Sequence, residues 1–156
     1  MDYSFPFEKL EVWHLAKDFV IDIYITIKNF PTEERYGLSS QITRAAISIV
    51  SNIAEGSSRK SKKDEAHFYQ LAFSSLMEVT AQLIISRELG YISDECLNNL
   101  RDKIHELSNK LNALYNSKMK VLSSSSSTVP QFHNSTSSPK SNSTIPQFHN
   151  STGTSR

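Results

Sequence analysis

A chain of 156 residues, with 17 Lys+Arg against 16 Asp+Glu and one cysteine, is long enough for one domain with a real core. One cysteine excludes an internal disulfide framework and a Cys-rich zinc site. A net charge of +1 excludes a general electrostatic pull on nucleic acid. The 38% apolar share averages two unlike parts. Residues 123–156 are Ser/Thr-rich, with only Val129, Phe132, Ile145 and Phe148 apolar. The part before them has the apolar content of an ordinary globular domain. It holds all the acidic residues but not Lys140 and Arg156, so it is slightly acidic. The N-terminal segment lacks the pattern of a secretion signal, and no uncharged apolar run is long enough to span a membrane. A cytoplasmic setting is the expectation.

Four apolar-periodic segments follow one another, separated by Pro31, Gly37, Gly56 and Gly90. The first, about 8–29, repeats Val12, Ala16, Phe19, Val20, Ile23 and Ile27 at helical spacing, and Pro31 stops it. The second, about 39–56, starts at Ser39 as N-cap and ends at Gly56 as terminator. The third, about 62–89, is capped by Ser61 with Asp64 and closed by Gly90. The fourth, about 94–118, starts behind Ser93 with Asp94 and Glu95 in its first turn. This order predicts an all-α, antiparallel up-down-up-down four-helix bundle over 1–122. The tail, 123–156, reads as disordered, because it has too little apolar surface to offset its ordering entropy. It holds two copies of a ten-residue repeat, Ser127 to Thr136 and Ser143 to Thr152.

The four faces differ. The fourth helix has one narrow seam of Leu97, Leu100, Ile104, Leu107, Leu111 and Leu114. The second has an apolar arc about twice as wide as one core needs, and the third carries two offset stripes. The excess (Ile47, Val50 and Ala54; Phe73, Met77 and Ile84) points to an interface between subunits. Deep burial in a monomer is the alternative.

The polar face of the second helix is made mostly of hydrogen-bonding groups rather than a solvated Lys/Glu mixture: Gln41, Arg44, Ser48, Ser51, Asn52 and Glu55. Ser75 and Glu78 stand at a comparable level on the third helix. Antiparallel register around residue 59 predicts an Arg44–Glu78 ion pair supported by Gln41 or Ser75. Two readings stand, a polar pocket or an interhelical polar network.

The turn from Ser57 to Lys63 carries Arg59, Lys60, Lys62 and Lys63. Repeated around a ring it would form a basic collar for phosphates, and in a monomer it is a solvated turn. Several other patterns carry no chemistry. Asp64-Glu65-Ala66-His67 spells a helicase box, but no phosphate-cradling Gly-rich loop accompanies it. Asp64/His67 and Asp102/His105 have metal-ligand spacing, yet antiparallel register puts His67 opposite residue 116, about 15 Å from His105. Cys96 has no base within reach on its own helix. No catalytic residue, metal or cofactor is assigned.

One stretch carries a specific pattern: Phe30-Pro31, Glu34, Gly37-Leu38, Gln41, Arg44-Ala45, Ser48 and Asn52-Ile53-Ala54-Glu55-Gly56, followed by Arg59. With Phe7-Glu8-Lys9-Leu10-Glu11-Val12-Trp13 before it, and Phe68, Ala72, Ser75 and Glu78 after it, residues 5–118 resemble the bacterial four-helix-bundle proteins encoded in intervening sequences of 23S rRNA genes. The tail lies outside the resemblance. It implies a ring of bundles, typically a homopentamer, and no enzyme activity, metal or cofactor. The family is also similar to the accessory proteins of diversity-generating retroelements, bundles with basic surfaces thought to engage nucleic acid. The expectation is a non-enzymatic scaffold associated with RNA or DNA, its partners being itself and nucleic acid, with no membrane and no small-molecule substrate. The alternative is a structural or protein-binding homo-oligomer with no nucleic-acid role.

Overall fold

The computed structural model describes residues 4–126, and the repeat-bearing segment beyond them lies outside the described residues. Four helices form an antiparallel bundle: α1, Glu11–Ile27; α2, Leu38–Ser57; α3, Lys62–Glu88; α4, Asp94–Ser126. Short 3-10 turns, Pro6–Lys9 and Thr32–Arg35, precede α1 and α2. Each helix packs on its chain neighbours, and α1 closes against α4. The core is a single apolar cluster with Phe19, Ile23, Ile42, Ile49, Ile53, Leu76, Leu83, Leu107 and Leu111 at its centre. The narrow seam expected on α4 is the face it buries, from Leu97 to Leu111.

Several helix ends differ from the sequence expectation, each for a physical reason. The first helical segment is split, because Pro6 fits the first turn of a tight 3-10 segment and the α-helix begins only at Glu11. Phe7 from that turn packs its ring 4.9 Å from Trp13. Ser39 is not the cap of α2. The helix begins one residue earlier, and Glu34 caps it from the preceding turn, its Oε2 accepting from the Leu38 N–H at 2.9 Å. The other oxygen of Glu34 accepts from Tyr91 Oη at 3.2 Å, and Phe30 packs on the Tyr91 ring. One carboxylate thus ties the α1–α2 connection to the α3–α4 turn.

Gly56 does not end α2 either. It lies inside the helix and is buried, and an added Cβ there would stand 2.9 Å from the Tyr69 ring and 3.0 Å from Phe68 Cβ. There α2 packs against α3 too closely for a side chain to fit. Ser61 and Ser93 do cap α3 and α4, accepting from the Asp64 and Cys96 backbone N–H groups. Gly90 does end α3: its φ is +76°, its N–H reaches the Arg87 carbonyl, and the Tyr91 N–H reaches Ser86. Finally, α4 runs to Ser126, so residues 123–126, grouped above with the tail, are helical.

By length and composition alone α3 is long and apolar enough to cross a membrane. In the bundle it packs on both α2 and α4, and part of its apolar surface, including Met77 and Ile84, stays exposed.

Candidate functional site

Three surface features come from the residues singled out above. The first is the α2–α3 polar face. Asn52 Nδ2 donates to the Ser48 carbonyl at 2.8 Å and to Ser48 Oγ at 3.0 Å, and Ser75 Oγ lies 2.9 Å from Ser48 Oγ. Ser48, Asn52 and Ser75 therefore form one network across the two helices. The Ser48–Ser75 contact also fixes the register. Counting four residues from each, Arg44 stands level with residue 79, not 74, because α2 continues through Gly56 and the turn is centred later than residue 59.

That places Arg44 and Glu78 at almost the same height, and both line one cleft with Gln41, Ala45 and Ser48. No ion pair within 4.0 Å joins them, so the predicted bond is absent. The two stand closer in height than a register around residue 59 implied, but they do not point at each other. Relative to Ser48 and Ser75, Arg44 and Glu78 are rotated outward by about 40° and 60° at 100° per residue. Both side chains are exposed, and a cleft of about 360 Å³ opens where the pair was expected. Glu78 instead accepts from Gln82 Nε2 at 3.2 Å. Gln82 is buried, and its Oε1 has no hydrogen-bond partner.

The second feature is the basic turn. Arg59 is not a free cation: it pairs with Glu55 and lies 4.4 Å over the Phe68 ring. Lys62 bonds Glu65 at 2.8 Å. Lys60 and Lys63 are exposed and make no ion pair among the described residues. The sequence reading missed the centre of this end, the nearly buried carboxylate of Glu65. It holds Lys62 and Lys118 (2.7 Å) and accepts from Tyr69 Oη at 3.1 Å. Burial raises the Glu65 pKa, but the bonds from Lys118, Lys62 and Tyr69 outweigh it and the net shift is downward. Tyr69 is shifted upward, first by burial and then by the Glu65 charge. Register gave a signal for this cluster: the pairing that sets His67 opposite residue 116 also sets Glu65 opposite Lys118.

The third feature is the surplus apolar surface. Ile47, Met77 and Ile84 are exposed by 37–41%, while Val50, Ala54 and Phe73 are half-buried. Ser48 marks the side of α2 facing α3, and Val50 stands about 200° round from it, toward α1. Ala54 and Ile47 flank Val50 on its outward side. On α1, Ile21 and Tyr24 extend this surface, with exposures of 51% and 44%. The periodicity of α1 gave no hint of this second face. On α3, Ser75 faces α2, so Phe73, Met77 and Ile84 lie on the far flank, toward α4. The six candidate interface residues are therefore split between opposite flanks of the α2–α3 pair.

Among the described residues, no group of three or more His, Cys, Asp or Glu gathers as a metal site. Cys96 is half-buried.

A family model described as 23S rRNA-intervening sequence protein matches residues 8–113. The fold is similar to a crystal structure from Bacteroides thetaiotaomicron, titled as a protein with unknown function from the S23 ribosomal protein family. The two are 22% identical, with a TM-score of 0.60 over 67% of this chain and 97% of that one. No curated protein matches this chain.

Proposed function

On the premise that this chain belongs to the 23S rRNA-intervening sequence protein family, we propose that it is a non-enzymatic scaffold whose bundles join flank to flank into a ring, with one rim holding RNA. The observation that carries the reading is the separation of the two apolar flanks. A patch that matched itself would give a twofold dimer. Two different patches on opposite flanks give a head-to-tail contact, which closes into a ring when the rotation per subunit allows it. The family resemblance suggests five subunits.

In such a ring the α2–α3 turns gather at one end. Lys60 and Lys63 supply the free charge there, while Arg59 and Lys62 are held by Glu55 and Glu65. Each subunit thus contributes about two phosphate contacts, and affinity comes from repetition round the rim. The same engagement of Arg59 and Lys62 supports the second reading, a structural or protein-binding homo-oligomer without an RNA role.

Light scattering on the full chain tests assembly, where a mass above the monomer at micromolar concentration is expected. Titration of a structured RNA against salt tests the rim. Lys60→Ala with Lys63→Ala should lower both affinity and salt slope. Unchanged affinity and slope would leave the protein-binding reading.

A further inference from the structure

We propose that the α2–α3 cleft is a binding site for a small zwitterion carrying a carboxylate and a protonated amine, of the class of a free amino acid. The cleft sets a guanidinium and a carboxylate at the same height on facing helices, Arg44 and Glu78, with no ion pair between them. Neither is matched by another ion pair among the described residues. A guanidinium takes a carboxylate through two parallel N–H bonds, and a carboxylate takes an ammonium. One amino-carboxylate molecule lying across the cleft meets both.

The wall is positioned before anything binds. Ser48 is fixed by Asn52 and Ser75, and Glu78 is oriented by Gln82. Gln82 itself does not line the cleft; it holds Glu78 from one turn away, and its buried Oε1 has no hydrogen-bond partner. The volume, about 360 Å³, is at the small end of ligand sites, which suits an amino acid and not a nucleotide. The cleft is also bounded by polar groups, unlike the apolar flanks on either side of the helix pair. A neighbour docked on those flanks leaves it open, and this one step rests on the ring reading above.

The test uses the full 156-residue chain and a panel of the proteinogenic amino acids at millimolar concentration, read by saturation-transfer NMR and isothermal titration. At least one is expected to bind. Its affinity should fall tenfold or more in Arg44→Gln and in Glu78→Gln. It should fall similarly for the matching amine without a carboxylate and the matching acid without an amine. Both side chains are exposed, so circular dichroism should show both variants folded; Arg44→Lys, which keeps the charge, should retain part of the binding. If no member of the panel binds, or if both Gln variants keep wild-type affinity, the proposal is overturned. A change of assembly mass in either Gln variant would also overturn it, by making the cleft a contact between copies. Amino-acid binding by a chain that stays monomeric would sink the ring and leave this site standing.

Discussion

Glu65 shows how much can rest on one side chain. A carboxylate this deep is unfavourable unless its charge is met, and two lysines and a tyrosine meet it. Its folded pKa lies below the unfolded value of about 4.5, so its contribution is fully present above that pH and is lost as pH falls toward the folded value. Glu65→Gln should therefore destabilise the bundle by about 1–3 kcal/mol at pH 7. The gap from wild type should narrow on going from pH 5 to pH 3. Urea unfolding at the two ends of that range checks it, and a gap that does not change would show that the charge is irrelevant. Gly56 makes a second point at this scale. An added Cβ raises intrinsic helix stability by about 1 kcal/mol, but crowding a packed helix contact costs about 1–3 kcal/mol. At 2.9 Å from the Tyr69 ring the second effect should win. Gly56→Ala should lower the midpoint of denaturation, whereas at an uncrowded position inside a helix the same change would raise it.

At the scale of elements, most of the fold was legible, and the failures share a cause. The helices follow apolar spacing, and Ser61, Ser93 and Gly90 act where local rules put them. The errors arose where a side chain from the preceding turn or a close approach between helices overrode the simplest local rule. Glu34 replaced Ser39 as the cap, and the contact with Tyr69 explains Gly56 better than termination does. Register was readable for α3 and α4, because the turn at Gly90 is tight. It slipped by about five residues for α2 and α3, where the turn carries no positive-φ glycine to centre it. A helical wheel shows Arg44 and Glu78 turned outward only once the Ser48–Ser75 contact has set which sides of the two helices face each other. The α3 terminus gives a clean check on the legible part. Only at Gly90 does the described chain place a glycine in the left-handed region. Gly90→Ala should lose about 1–2 kcal/mol, the usual cost of that conformation for a residue with a Cβ. Nothing lies within 4 Å of an added Cβ, so the loss comes from the backbone alone. Gly90→Asn, which tolerates this region better, should recover part of it in the same denaturation assay.

At the scale of the whole molecule, the division of apolar surface between two flanks gives assembly a direction. Ile47→Glu spoils the α2 flank and leaves the α3 flank intact, and Met77→Glu does the reverse. Both side chains are already substantially exposed, at 41% and 38%, so each variant should stay folded as a monomer. In a head-to-tail contact every junction needs one good flank of each kind, so neither variant should assemble alone. Mixed in equal amounts, an Ile47→Glu chain offers its intact α3 flank to the intact α2 flank of a Met77→Glu chain. One native junction forms and cannot propagate, because the two outer flanks of the pair are both spoiled. Light scattering of the mixture should therefore give a dimer mass. A self-matching interface behaves differently: each patch pairs with its own kind, so a single variant would keep dimers through its untouched flank and mixing would add nothing new. Dimers in the mixture and monomers in each component would establish a head-to-tail contact; dimers in either component alone would refute it.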